Sequence, residues 1–319
     1  MKKHVRNVIL YSTALSLLFM GGVKLKNWSD QSTAFAEQVV EFSDNFLEDD
    51  FLIVAHRGFS SRAPENTTDA IILATDADYV DCVEIDARLT NDQQLVLSHN
   101  SSLLTSDMQS VTIEEEDYDT LRSNQYYPST ASTLTSLGDL LHNDYAIFYF
   151  QRSKCLGSQC YDIPSLEEGI NACRGKTIFL DLKFDGNTDD FINALVKELS
   201  TRPKEDIVIQ SADIPSLRRL QERLPDFCYS AIIKKKSDLE FIPQFDFITI
   251  RKNLVTEELV DELICQNKQV AVWTVNTPEE INSTIEKLGN HYKDVFYISD
   301  YPDVVGSCLS QKQKCLLNE

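Results

Sequence analysis

Four short segments, Ala55-His56-Arg57-Gly58, Pro64-Glu65-Asn66-Thr67, Glu84-Ile85-Asp86 and Ser98-His99, concentrate the residues of this chain that can do chemistry. Only five histidines exist in the sequence, and two fall here beside an arginine and three carboxylates. Paired imidazoles near a charged cluster suit proton transfer, one removing a proton and the other supplying it, because their pKa lies close to working pH. Glu84 and Asp86 are hard-oxygen donors of the kind that hold Ca²⁺ or Mg²⁺. A third acid, Asp181, stands in Phe179-Leu180-Asp181-Leu182-Lys183 between apolar neighbours. Arg57 can grip a phosphate with two parallel hydrogen bonds, and Lys183 adds a second positive charge. Taken singly, each has a plainer reading: a strand-end acid is usually solvated or salt-bridged, and a lone histidine usually structural. Gathered together, they point to a divalent ion, a phosphate and an acid–base pair.

Such a set needs a frame. Short β-like runs recur at Phe51–Ala55, Cys82–Ala87, Ile178–Leu182, Ile207–Gln210, Cys228–Ile233, Phe247–Ile250, Val270–Thr274 and Phe296–Ile298. Amphipathic stretches lie between most of them: Asp189–Leu199, Ile214–Leu224, Thr256–Gln266 and Pro278–Leu288. Eight strands alternating with helices predict an α/β fold, a (β/α)₈ TIM-type barrel, with the chemistry at the C-terminal ends of the strands. Period-2 alternation puts Cys82, Glu84 and Asp86 on one inward face.

Leu95–Ser98 follows Asp86 too soon for a parallel crossover, so a β-hairpin is expected. A turn at Asp92-Gln93 would pair positions summing to 185 and set Asp86 opposite His99. Residues 100–176 show no clear βα unit. The Ser/Thr-rich stretches, the aromatic run Tyr145–Phe150 and the Cys155–Cys160 loop read as an insertion over the mouth, placed at 100–162. The remaining expected boundaries are a leader at 1–27, a linker at 28–50, the barrel at 51–308 and a tail at 309–319.

The chain has 319 residues and a formal net charge of −20. The leader carries five Lys/Arg and no acid, leaving 25 basic against 50 acidic groups beyond it. Such acidity argues against a nucleic-acid groove and against electrostatic docking on anionic lipid. A bound cation with local Lys/Arg can still reverse the field within a cleft. Lys2, Lys3 and Arg6 precede an uncharged, mostly apolar run from Asn7 to Val23, which reads as a signal peptide or as an uncleaved membrane anchor. Either predicts an exported protein, secreted or attached to the membrane by this segment and facing outward. The eight cysteines match no zinc spacing. Cys155 and Cys160 are the candidates for a local bridge, whereas Cys82 and Cys228 read as core.

The ordered motifs resemble the glycerophosphodiester phosphodiesterase family. Besides the segments above, the resemblance rests on Val96-Leu97-Ser98-His99, Ile163-Pro164-Ser165-Leu166-Glu167-Glu168, Leu180-Asp181-Leu182-Lys183, Val272-Trp273-Thr274-Val275-Asn276 and Ser299-Asp300-Tyr301-Pro302-Asp303. They run in family order across about residues 51–305. The resemblance implies a metal-dependent barrel that cleaves small-molecule glycerophosphodiesters to glycerol 3-phosphate and an alcohol. His56 and His99 would then be the acid–base pair. Glu84, Asp86 and Asp181 would hold the ion, Ca²⁺ or Mg²⁺, with Glu65 beside it. Arg57 and Lys183 would contact phosphate, and Trp273 would wall the glycerol pocket.

Three positions depart from the family pattern. Asn100 stands where an Asp usually follows the second histidine, Asp181 replaces a Glu, and the usual Gly before the Glu-x-Asp strand is missing from Asp76-Ala77-Asp78-Tyr79. Two alternatives follow: a related phosphodiesterase acting on lysophospholipid or on a glycerophosphate polymer, and a degenerate barrel that binds a polyol phosphate without turnover. A purely structural envelope protein would leave the clustered residues without explanation.

Overall fold

The computed structural model describes residues 51–127 and 160–317. The leader, the linker, the aromatic run Tyr145–Phe150 and Cys155 lie outside the described residues. Among the described residues, no helix is long and apolar enough to cross a membrane.

Eight parallel strands close into a barrel: Leu52–Ala55 (β1), Cys82–Leu89 (β2), Thr177–Leu182 (β6), Ile207–Ser211 (β7), Cys228–Ile233 (β8), Phe247–Arg251 (β9), Gln269–Trp273 (β10) and Val295–Ser299 (β11). Closure comes from β1, which pairs with β11 on one side and with β2 on the other. Each expected strand is present within two residues of its predicted bounds. The interior is filled rather than open. Val54, Cys82, Phe179, Val208, Phe247, Ala271 and Ile298 form one buried cluster against which Cys228, Trp273 and Phe296 pack. The rings of Phe179 and Phe247 meet edge-to-face at 5.3 Å. Cys82 and Cys228 are thus packing groups, as their apolar surroundings in the sequence suggested.

Alternation along the strands then converts this apolar layer into a polar one. Moving two residues toward the C-terminal end takes Cys82 to Glu84 and Asp86, Phe179 to Asp181, Val208 to Gln210, and Phe247 to Thr249. All of these polar residues line one cavity at that end, as the pleat requires.

The helices on the outside are started by side-chain caps. Thr68–Thr75 (α1) is capped by Thr67, Thr188–Leu199 (α4) by Asn187 and Ile214–Arg223 (α5) by Asp213. Thr256 caps Glu257–Cys265 (α6), and Thr277 precedes Pro278 at the start of Pro278–Leu288 (α7). The last helix is Pro302–Leu317 (α8). The expected division at Cys308 falls inside it, because Val305 and Leu309 are both fully buried on the same helix.

The hairpin forms, but in a different register. Leu95–Leu97 (β3) pairs antiparallel with β2 through Ala87↔Leu97, Arg88↔Val96 and Leu89↔Leu95. The sums are 184 rather than 185, so Asp86 faces Ser98, whose N–H donates to the Asp86 carbonyl at 3.1 Å. The cause is the connection. Gln93 adopts a left-handed conformation (φ 63°) and Thr90 N–H bonds to Gln94 O at 2.9 Å, giving a three-residue loop instead of a two-residue turn.

The described part of the insertion comprises the hairpin Ser102–Leu104 (β4) and Ser110–Thr112 (β5), a 3₁₀ turn at Ile113–Glu115 and the short helix Tyr118–Arg122 (α2). It has its own small core of Leu103, Ile113, Leu121, Tyr126 and Ile163, joined to the barrel through Val96 of β3. The crossover back to β6 contains a helix, Leu166–Ala172 (α3), in a region without a clear βα unit at the level of sequence. Its signal is the capping box Ser165-x-x-Glu168. Ser165 Oγ accepts from Glu168 N–H at 3.1 Å, and Glu168 Oε2 accepts from Ser165 N–H at 2.8 Å.

Candidate active site

The loop after β1 sets the first wall. Gly58 (φ 78°) passes so close to α1 that a Cβ there would sit 2.6 Å from the Ala70 carbonyl carbon. That close approach requires glycine. Arg57, immediately before it, holds a left-handed backbone (φ 57°), uncommon for a side chain of this size. Its N–H donates to Glu84 Oε2 at 2.8 Å, and its Nη1 donates to Glu65 Oε2 at 2.9 Å. Arg57 Nε also lies 3.3 Å from Asp86 Oδ2. Strain of this kind persists where surrounding contacts over-determine it, and here three carboxylates do so.

Asp86 is the most heavily tethered carboxylate. Asn66 donates to its Oδ2 at 2.8 Å while accepting from its backbone N–H at 2.9 Å. Lys183 Nζ is 2.8 Å from Oδ1 and also pairs with Asp181. Burial alone would raise the pKa of Asp86, but Lys183 and Arg57 outweigh it and hold the group well below the usual carboxylate range. Glu84 behaves oppositely. Burial, reinforced by the Asp86 charge, pushes it up to about 8. Burial raises Asp181 as well.

Donor oxygens of Glu84, Asp86 and Asp181 lie within 4.8 Å of one another. Three buried hard-oxygen donors, two of them pushed toward protonation, fit a divalent cation. Asp181 reaches this cluster although it is one methylene shorter than the usual glutamate.

The two histidines occupy the same cavity, which is lined by His56, Arg57, Glu84, Asp86, His99, Asp181, Lys183 and Trp273 among others. His56 Nδ1 lies 2.6 Å from Asp300 Oδ1, and its Nε2 is 3.9 Å from Glu84 Oε2. Burial would depress the His56 pKa, but Asp300 and Glu84 leave it net raised. His99 is lowered, chiefly by burial. Its Nδ1 lies 2.9 Å from Asn100 Oδ1, so the asparagine supplies an acceptor to the ring without a charge. Trp273 forms part of the wall, and its Nε1 has no hydrogen-bond partner among the described residues. Glu65 does not line the cavity; it stands behind Arg57 and fixes that side chain.

Several residues join the site without a role read from the sequence, although Asn276 and Asp300 stand in two of the motifs quoted above. Asp300 follows β11, and barrel closure brings it beside His56, which follows β1. Asn276 in turn donates to Asp300 Oδ2 at 2.6 Å. Gln210, Thr249 and Lys234 complete the lining. For Asn276 and Asp300 the available signal was the motifs. For Gln210 and Lys234 it was position at the end of an apolar strand run, where barrels place their chemistry. Thr249 lies inside β9 and is marked by its alternation with Phe247.

Residues 56–292 match the model of the glycerophosphoryl diester phosphodiesterase family. A Bacillus subtilis (strain 168) protein named "Putative glycerophosphodiester phosphodiesterase YhdW" is 22% identical over 267 residues, covering 79% of this chain and 96% of that protein. An uncharacterized Mycoplasma genitalium protein is 37% identical over 75 residues, a match spanning 24% of this chain and 30% of that protein. Among solved structures, an Oleispira antarctica phosphodiesterase in complex with the product sn-glycerol-3-phosphate superposes with a TM-score of 0.64 at 21% identity, covering 81% of this chain and 96% of that one. That likeness is one of fold. The chain belongs to the glycerophosphoryl diester phosphodiesterase family, whose members are phosphoric diester hydrolases.

Proposed function

We propose that this hydrolase cleaves glycerophosphodiesters to glycerol 3-phosphate and an alcohol, with a divalent cation at Glu84, Asp86 and Asp181 and with His56 and His99 exchanging protons with the substrate. The observation that carries this reading is the convergence of two imidazoles, three buried carboxylates, Arg57 and Lys183 on one cavity. The sn-glycerol-3-phosphate bound to the Oleispira antarctica relative supports the product assignment.

Glu84, Asp86 and Asp181 would hold the cation, Ca²⁺ or Mg²⁺, which would supply Lewis acidity. The chain does the rest. Arg57 and Lys183 offer fixed positive charge to the phosphate, and both are held by carboxylates before any ligand arrives. Asp300 occupies His56 Nδ1, which leaves Nε2 as the nitrogen that moves a proton on the cavity side. Asn100 does the same for His99. One ring takes the proton of the attacking hydroxyl, from water or from the neighbouring glycerol hydroxyl, and the other protonates the departing alkoxide. Where the glycerol hydroxyl attacks, the cyclic phosphate so formed is opened by water with the two ring roles exchanged, giving glycerol 3-phosphate. Trp273 excludes water from the glycerol side.

His56→Ala and His99→Ala should each lower kcat by about 10²- to 10⁴-fold, the usual worth of a positioned acid or base. Near-wild-type hydrolysis by either folded variant would contradict the assignment.

A further inference from the structure

Beyond the site itself, β2 carries a buried guanidinium that the chemistry above does not use. Arg88 continues the inward row of Glu84 and Asp86 and is 5% exposed. Its Nε and Nη2 both donate to the backbone carbonyl of His99, at 3.1 and 2.6 Å. Its Nη1 donates to Glu114 Oε1 at 2.6 Å and to Asp185 Oδ2 at 2.7 Å. One planar fork thus joins β2, the loop that carries His99, the 3₁₀ turn of the insertion and the loop after β6. A buried guanidinium is costly unless its donors are paired, and Arg suits the task because its geometry is rigid.

His99 needs such an anchor. It has already left β3, which ends at Leu97, so no strand ladder holds it. Among the described residues, the hydrogen bonds that fix it are those of Arg88 at its carbonyl and Asn100 at its ring. Glu114 belongs to the insertion and is mostly covered, with its side chain 15% exposed, whereas that of Asp185 is 63% exposed. The insertion therefore contributes the better-shielded counter-charge that orients the fork.

We propose that Arg88 is a positioning residue: a latch through which the insertion, by way of Glu114, holds His99 at the distance its proton transfer requires. The inference rests on His99 being one of the acid–base pair. A displacement of about 1 Å at such a group costs on the order of 10²-fold in rate, so the latch should act on turnover rather than on substrate binding.

The test is steady-state hydrolysis of glycerophosphocholine by the full-length protein with divalent cation, for Arg88→Lys, Arg88→Ala and Glu114→Gln, each with His99 intact and in a His99→Ala background. Folding is checked by thermal unfolding. With His99 present, Arg88→Lys should lower kcat by about tenfold or more while KM stays within about threefold, with Glu114→Gln following in the same direction by less. In the His99→Ala background the same substitutions should add less than about twofold, because there is no imidazole left to place. A merely structural role would multiply its loss onto that of His99→Ala. Should Arg88→Ala fail to fold, Arg88→Lys and Glu114→Gln decide the matter. The latch is overturned if folded Arg88→Lys and Glu114→Gln keep kcat within about twofold, or if their effects multiply with that of His99→Ala. Wild-type turnover by His99→Ala alone would instead remove the acid–base reading, and the latch with it.

Discussion

Asp300 accepts hydrogen bonds from Ser60 Oγ at 3.0 Å and from Asn276 Nδ2 at 2.6 Å, besides its contact with His56. Burial would raise its pKa, but His56, Arg57 and Asn276 hold it down to about 2. It therefore faces the imidazole as a full negative charge, fixing the ring and favouring its protonated form. Asp300→Asn keeps the shape and removes the charge; kcat should fall by at least about tenfold, with the His56 pKa lowered in an NMR titration. An unchanged His56 titration would show that Asp300 does not tune the ring. Glu84 yields a second prediction at this scale. Its raised pKa means that, between the ordinary carboxylate range and about 8, the folded protein keeps a proton that the unfolded chain has released. Stability then falls as pH rises through that window, by an amount on the order of a few kcal/mol. The raised pKa values of Asp181 and His56 act in the same direction, and the lowered one of His99 opposes them. A chelator-treated sample should lose Tm between pH 5 and pH 8, and Ca²⁺ or Mg²⁺ should restore more at pH 8 than at pH 5. A restoration independent of pH would contradict the placement of the ion beside Glu84.

Elements were legible where burial imposed a pattern. All eight residues of β2 are buried, and its polar positions still alternate strictly, so Glu84 and Asp86 could be placed on one inward face from sequence. The hairpin register could not be read in the same way. Period-2 reasoning assumes a two-residue turn, whereas the left-handed Gln93 adds a residue and shifts every pair by one. His99 nevertheless reaches the cavity, because it lies beyond the paired strand and its loop takes up the shift. Helix α3 was hidden by its length, seven residues, and by the absence of an amphipathic repeat within so short a span. Its capping box was the visible mark. Ser165→Ala removes one half of that box and should cost about 1 kcal/mol, read as a lowered Tm with kcat unaffected. A neutral change would mean that packing against β3 alone maintains the helix.

For the whole molecule, the barrel and most of the cavity lining follow from eight apolar runs and the residues that end them. What the sequence left open was closure: which strand ends stand side by side. The neighbours His56 and Asp300 are 244 positions apart and meet because β11 returns to β1. The Arg88 fork likewise joins parts of the chain that share no local pattern, with partners 11, 26 and 97 positions away. Arg57 and Lys183, which face the cavity, are each paired with carboxylates, Arg57 with Glu65 and Lys183 with Asp86 and Asp181. The central claim is metal-assisted cleavage of a glycerophosphodiester. The measurement that tests it most directly is release of glycerol 3-phosphate from glycerophosphocholine by the purified protein, with Ca²⁺, with Mg²⁺ and with chelator. Release that depends on one of these ions and is abolished by chelator is the predicted result. Equal release with chelator, or none from folded protein that binds the ion, would contradict the claim.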